Sequence, residues 1–246
     1  MNMCSKISRH FALVLLMIYF SFNLTLVAVN QKASPLYKIL KSTVRDYDGN
    51  QYRTVRIGNQ VWMAENLRVT HYRDGSEIPL VIDDDKWSKA LKGAYCPVEN
   101  NGNQLVREYG LLYNFYAVRN DCQLCPKGWR VPTKADCLTL IEYLGGSEVA
   151  GTKIKDNRSG LWSDQDAEAN NSSGFSGLPS GGRGRLGPAA ELGRYATWWS
   201  STVEEPNYAW HWGVFPNKPG IRSNPGHMAS GFSVRCIRVS VPKKGK

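Results

Sequence analysis

The sequence predicts an α+β domain of short antiparallel strands, one or two helices and long ordered loops. Three observations carry that reading. Tight-turn residues split apolar runs with alternating pattern near residues 43–67. One stretch, just after Pro132, has helical spacing and marked ends. Aromatic strand-like runs then return after residue 195, beyond an interval rich in Gly, Ser and Asn. Strands that precede and follow the helices, rather than alternating with them, suit an antiparallel architecture.

The elements follow in order. In TVRDYDGNQYRTVRIGNQVWMAENL (43–67), Asp48-Gly49 lies between Thr-, Val- and Tyr-rich runs and reads as a hairpin turn. Gly58-Asn59 marks a second turn, and Val55, Ile57, Val61 and Met63 supply alternating apolar positions, so two or three strands are expected. Residues 70–107 are polar and irregular, with a short helix expected at 85–91. YGLLYNFYAV (109–118) is apolar almost throughout; periodicity leaves open a buried strand or a strand leading into a helix. Thr133 and Asp136 are spaced as a capping box, and Gly145-Gly146 ends the helix expected over 134–144. Its predicted buried face is Ala135, Leu138, Ile141 and Leu144. Residues 150–195 read as long loops, followed by strands in ATWWSST (196–202), YAWHWGVF (208–215) and GFSVRCIRVSV (231–241). In the last, alternation places Phe232, Val234 and Cys236 on one face and Ser233, Arg235 and Ile237 on the other.

Bulk composition sets the class. The chain has 246 residues, 42% of them hydrophobic, with eight Trp, twelve Tyr and a mean hydropathy of −0.40. That is enough apolar material for one sizeable core. The N-terminus carries Lys6, Arg9 and His10, then the apolar run 11–29, and no acidic residue occurs before Asp46. This is the pattern of an export signal, cleaved or retained as an anchor. Membrane contact is expected only through that segment if it is not cleaved. Residues 30–42 read as a spacer, 43–240 as the domain and 241–246 as a basic tail. The net charge is +10, and removing Lys6 and Arg9 leaves +8. Export makes nucleic acid a poor partner for that charge, which suits a solvated basic surface or an anionic polysaccharide.

Six phrases, IGNQVWMAENL (57–67), YGLLYNFYAV, CPKGWRVPT (125–133), SGFSGLPSGGR (173–183), ATWWSST and GFSVRC (231–236), occur in one order. Together they resemble the Fibrobacter succinogenes major paralogous domain, a family of exported bacterial domains, over roughly 43–240. The resemblance implies a C-type-lectin-like fold, shared with the formylglycine-generating enzyme group, with the last strand near the first and 52–64 near 231–240. It also implies a disulfide between Cys125 and Cys236. Cys122 and Cys137 depart from the family pattern, and as a pair flanking one strand they are expected to bond each other, leaving Cys96 free or intermolecular. Cys122-Gln123-Leu124-Cys125 has the spacing of redox or zinc motifs. No second C-x-x-C or paired histidines accompany it, and Pro126 and Gly128 disfavour a thioredoxin-like helix.

Other chemistry is sparse. The histidines are His10, His71, His211 and His227, with no H-x-x-x-H or H-E-x-x-H, and the C-terminal cysteine pair of the formylglycine-generating enzymes is missing. His211 or His227 with Ser200 or Ser230 could form a hydrolytic pair, but G-x-S-x-G is absent. Asp46-x-Asp48-x-Asn50 begins like a calcium loop, yet Gln51 and Ile57 stand at the sixth and twelfth positions. Asp83-Asp84-Asp85 is a calcium candidate or a solvated turn, and Gly181–Arg185 a loop or an anion contact. No catalytic residue, metal or cofactor is expected.

The remaining candidates are aromatic. Trp198, Trp199, Tyr208, Trp210, His211 and Trp212 fall within 15 residues. Neighbours on a strand face opposite ways, so Trp198 and Trp199 are not expected both to lie in the core. Either loops bury both faces or one face binds a ligand. The predicted ligand-binding set is Trp199, His211, Arg183 and Arg222, with a glycan or surface protein as partner. An exported, non-enzymatic adhesion or binding domain is the leading expectation; an enzyme on the same fold and a purely structural envelope component are the alternatives.

Overall fold

A computed structural model describes residues 37–99, 103–158, 160–162 and 169–239. The chain divides into two units, Met1–Pro35 and Leu36–Lys246, and every described residue belongs to the second. The predicted export segment, the first part of the spacer and the basic tail lie outside the described residues.

Thirteen strands and five short helices are described. A hairpin opens the fold, β1 (Tyr37–Arg45) against β2 (Gln51–Ile57), with β3 (Gln60–Met63) antiparallel beyond it. β1 begins inside the stretch read from sequence as spacer, and its register slips between Leu40 and Thr43. That bulge breaks the alternation that would have revealed the strand. Asp46 holds the turn by accepting the Asn50 amide (2.9 Å), the Asn50 Nδ2 (2.9 Å) and the Tyr52 hydroxyl (2.6 Å). The carboxylate of the apparent calcium loop is thus used within its own hairpin.

The middle of the chain supplies α1 (Asp84–Ser88), β4 (Tyr95–Pro97), α2 (Asn103–Tyr109), β5 (Leu111–Asn114) and α3 (Phe115–Val118). The phrase YGLLYNFYAV therefore is a strand leading into a helix, and the Asn114 side chain caps that helix on the Ala117 amide. β6 (Trp129–Arg130) precedes α4 (Lys134–Tyr143), whose N-terminus carries the expected Thr133–Asp136 capping box. Gly145 and Gly146 end α4 at positive φ, 102° and 94°. Its buried face is Cys137, Leu140, Ile141 and Leu144, whereas Leu138 is 47% exposed and Ala135 is exposed. Both sets satisfy the helical repeat; the face holding Cys137 wins because β3 and β10 bring Trp62 and Trp212 to that side.

α5 (Ala150–Ile154), β7 (Gly182–Arg183) and β8 (Ala189–Ala190) punctuate the long loops before β9 (Ala196–Glu205), β10 (Tyr208–Val214) and β11 (Ile221–His227). The last phrase is not one strand. It breaks into β12 (Gly231–Ser233) and β13 (Ile237–Arg238). One sheet runs β1-β2-β3-β13-β6; the other runs β11-β10-β9-β12-β5-β4, with β7 pairing β12 and β8. Residues 231–238 therefore stitch the two sheets together, β13 pairing β3 at Ile237 and Trp62. The chain between the two short strands stays bonded to the opening segment: the Leu67 amide donates to Val234 (2.8 Å) and the Met63 amide to Cys236 (3.0 Å). The two domain ends meet as expected.

Alternation along 231–238 does sort residues between two cores. Val234 and Cys236 belong to the cluster around Tyr52, Tyr113, Phe115 and Trp199, and Phe232 packs against it; Ile237 belongs to the cluster around Trp62, Phe175, Trp198 and Trp212. Arg235 is fully buried on the second side, 4.1 Å above the Phe175 ring. Its guanidinium donates to Asn66 Oδ1 at 3.1 and 2.7 Å and to the carbonyl of Phe175. Burial pulls its pKa down to about 9. Asn66 Oδ1 also accepts the Trp198 indole (2.9 Å), while Asn66 Nδ2 donates to the Tyr109 carbonyl (2.9 Å). This buried polar knot ties the opening segment, β9 and the closing segment into one unit, because each group in it would be costly to bury without its partners.

Both faces of the first half of β9, Ala196 to Ser200, are covered. Trp198 (1% exposed) packs on Phe175 and Trp212, with ring centroids at 5.3 and 4.9 Å. Trp199 (0% exposed) packs on Phe115 and Phe232 at 5.3 and 4.5 Å and donates its indole N–H to the Tyr113 carbonyl (2.8 Å). The expectation that the two could not both be core is corrected. They do face opposite ways, but β9 lies between two cores rather than between a core and solvent.

Candidate functional site

The eight side chains singled out from the sequence, four cysteines and four ligand candidates, divide into frame and surface. Cys125 and Cys236 form a disulfide across 111 positions of sequence, joining the approach to β6 with the segment that links the sheets. Cys122 and Cys137 do not pair; both are free, as is Cys96. The correction has a geometric cause. Cys137 is fully buried on the α4 face against the second core, whereas Cys122 packs at the margin of the first. Burial holds the Cys137 thiol well above its ordinary range and pushes Cys96 up to about 11. A hydrogen bond to Asp74 raises Cys122. Among the described residues no group of three or more His, Cys, Asp or Glu could hold a metal ion.

Trp199 and Arg183 are corrected as ligand contacts. Trp199 is core. Arg183 is 1% exposed and acts as a strut: it donates to the carbonyls of Val81 (2.8 Å), Ile82 (2.7 Å) and Gly187 (3.1 Å) and to Asp84 (2.6 Å), and stacks 4.4 Å above Trp87. Asp83 caps α1 on the Lys86 amide (2.8 Å). The acidic triplet and the glycine-arginine loop thus serve each other and the fold. The cleft over them, about 270 Å³, contains an arginine whose donors are already used.

His211 stands opposite Trp199 in the β9–β10 register and packs between Trp199 (5.9 Å) and Phe232 (4.7 Å). Its Nδ1 is buried without a hydrogen-bond partner. Ser200 Oγ accepts the Thr202 amide (3.1 Å), and His227 Nδ1 accepts the Ala229 amide (3.1 Å). Among the described residues no side-chain hydrogen bond joins these serines to these histidines; Ser230 and His227 share only a backbone one, from the Ser230 amide to the His227 carbonyl (2.8 Å). A surface Asp48–His71–Thr70 cluster also falls short of a triad. Asp48 (2.6 Å) and the Thr70 hydroxyl (3.2 Å) both meet Nδ1, where a triad sets the hydroxyl on the other nitrogen.

Burial lowers the His211 pKa from 6.5 to about 4. The depressed value means that stability present above pH 6.5 is lost as pH falls toward 4, because the unfolded chain takes up a proton that the fold resists. The loss is expected to reach about 3 kcal/mol by pH 4. Urea unfolding at pH 7 and pH 4 should show that His211→Phe is spared this part of the acid loss. An identical loss in both proteins would refute the assignment.

Arg222 leads to a different place. β9 and β10 pair Ala196 with Val214, so the next residues outward are Tyr195 and Phe215. Their rings lie 5.8 Å apart and tilted by 31°. β10 and β11 pair Gly213 with Arg222, and with no side chain at Gly213 the guanidinium reaches over the Phe215 ring at 5.8 Å. Glu191, Arg194, Pro216 and Lys218 complete a cleft of about 380 Å³. Its loops are held from beneath. The Lys155 side chain, fully buried, donates to the carbonyls of Phe215 (3.1 Å) and Lys218 (2.9 Å). The Gly193 amide donates to Pro179 (2.8 Å), the Gly181 amide to Tyr195 (2.8 Å) and the Ile221 amide to Ser147 (2.7 Å). Asn217 takes the left-handed conformation at the tip (φ 52°). Arg194, Lys218 and Arg222 are exposed and form no ion pair with the described residues. A third cleft, about 340 Å³, is lined by Arg53, Glu65, Glu108 and Arg158, whose charges pair with one another.

The predicted site residues are therefore not one constellation. Trp199 and His211 meet in a core, Arg183 braces α1, and Arg222 alone reaches a cleft with open valences. Tyr195, Phe215, Arg194 and Lys218 were missed. The available signal was positional: Tyr195 immediately precedes one aromatic strand and Phe215 ends the next. Only the register makes them neighbours.

No curated protein and no solved structure matches the chain. The sequence model of one family, the Fibrobacter succinogenes major domain, matches residues 55–238, from the middle of β2 to the last residue of β13. That match covers most of the chain and contains β3 to β13, the disulfide and the cleft at Tyr195 and Phe215, so the chain belongs to the Fibrobacter succinogenes major domain family.

Proposed function

We propose that this chain is an exported, non-catalytic binding domain of C-type-lectin-like architecture, and that it takes a glycan or a glycan-bearing surface protein. The observation that carries the reading is the Tyr195–Phe215 cleft. It offers half-buried aromatic faces, unpaired polar groups at its rim and loops held by buried hydrogen bonds. A sugar ring stacks its C–H face on an aromatic ring and leaves its hydroxyls for polar neighbours, so such a lining suits a saccharide. Loops already held in place lower the ordering cost of binding. Export is supported by the basic and apolar N-terminal pattern and by the disulfide, which persists in oxidising compartments. The lectin-like architecture is supported by the closing strand lying against the opening hairpin and by the long loops between α5 and β9.

The test is a glycan array probed with the full chain and with Tyr195→Ala. Saccharide binding by the parent and at least about tenfold weaker binding by the variant is the expected pattern, since a stacked ring contributes over 1 kcal/mol. A folded parent chain that binds no glycan across the array would remove saccharide recognition, and leave the structural envelope role as the better account.

A further inference from the structure

The charge around the cleft narrows the ligand class. Arg194, Lys218 and Arg222 line it against one carboxylate, Glu191. Elsewhere Arg53, Arg130, Lys134 and Arg158 each sit on a carboxylate, at 2.6 to 3.2 Å. The cleft cations, like exposed Arg56, Arg107 and Lys127, have no such partner among the described residues; what sets the cleft cations apart is that all three line one concavity. Like charges around one concavity repel each other, and the repulsion is relieved when an anion enters. The Lys155 bonds to Phe215 and Lys218 hold the loop that presents Lys218, and the β10–β11 register presents Arg222 above Phe215. The aromatic faces would take a ring, the guanidinium groups a planar or tetrahedral anion, and Glu191 a hydroxyl.

We propose that the ligand of this cleft is an acidic saccharide, a sugar ring on Tyr195 and Phe215 with its carboxylate or sulfate held by Arg222, Arg194 and Lys218. The inference rests on the reading of this cleft as the binding site, and adds the ligand's charge. A neutral glycan would satisfy the rings and leave the cations unpaired.

The experiment measures affinity of the full chain by calorimetry for trigalacturonate, for its fully methylated ester and for a hexose trisaccharide carrying a 6-sulfate. Trigalacturonate or the sulfated sugar should bind. The ester, with the same ring and no charge, should bind at least about tenfold more weakly, the loss expected for a charged hydrogen bond. Preference for trigalacturonate identifies a carboxylate ligand, and preference for the sulfated sugar a sulfate ligand. Arg222→Gln, at an exposed position, should reproduce the tenfold loss on the acid, and Arg222→Lys should recover part of it. Added salt should weaken the acid and leave the ester unchanged. Equal binding of acid and ester, both lost in Tyr195→Ala, would overturn the acidic ligand while the cleft remains the site. Binding of none of the three, with neutral glycans bound on the array, also overturns it. No binding in solution or on the array overturns both readings.

Discussion

Replacing Cys125 and Cys236 together by alanine is expected to lower the unfolding free energy by about 4–5 kcal/mol, the chain-entropy contribution of a cross-link spanning more than a hundred residues. The 111-residue separation puts this bond near the upper end of what a single disulfide contributes. A domain of this size is stable by roughly 5–15 kcal/mol, so the loss is a large share. The location adds to the effect. Cys236 lies between β12 and β13, where the chain passes from one sheet to the other, and its carbonyl accepts the Met63 amide. Freeing it loosens the joint between the sheets. Urea unfolding of parent, double variant and Cys122→Ala separates the connectivities. Cys122→Ala should stay within about 1 kcal/mol of the parent, as expected for a partly exposed free thiol. A loss in Cys122→Ala as large as in the double variant would mean that the bond runs elsewhere.

Trp199→Ala is expected to cost about 3–5 kcal/mol, the range for emptying a buried large aromatic site. Trp199 is wholly enclosed by Phe115, Phe232 and His211, and its indole N–H satisfies the Tyr113 carbonyl. The substitution leaves a cavity and removes the donor from a buried acceptor. Arg222→Ala, on the exposed rim of the cleft, should change stability by less than about 0.5 kcal/mol. The pair is decisive for reading the aromatic strands. If Trp199→Ala unfolded at the parent's urea midpoint, the ring would not be core, and its role as a ligand contact would return.

Much of the fold was legible because it is encoded over short distances. The Asp46–Asn50 turn, the Thr133–Asp136 capping box and the glycine stop after α4 each depend on neighbours within a few residues, whereas periodicity left the strand-to-helix switch at Asn114 open. Alternation in 231–238 sorted the side chains correctly between two environments, although the strand itself breaks. Other readings failed where two patterns fit equally well. Ala135 and Leu138, or Cys137 and Leu140, give α4 the same apolar repeat; Trp62 and Trp212 decide between them. The same limit applied to Cys122 and Cys137, since spacing along the chain says nothing about which core each thiol enters.

The sequence by itself determined that this is an α+β domain with turn-bounded strands, a capped helix and a family signature running from the opening hairpin to the closing strand. Only the tertiary structure decided what those elements are for. It covered the first half of β9 on both sides, which converted Trp198 and Trp199 from a candidate surface into two cores. It spent the donors of Arg183 on backbone carbonyls and Asp84. It placed Tyr195 beside Phe215 through the pairing of Ala196 with Val214 and drew Arg222 over them through the pairing with Gly213. The physical reason is that propensity, capping and alternation act within a few residues, whereas burial and charge pairing depend on what the rest of the chain brings to each face.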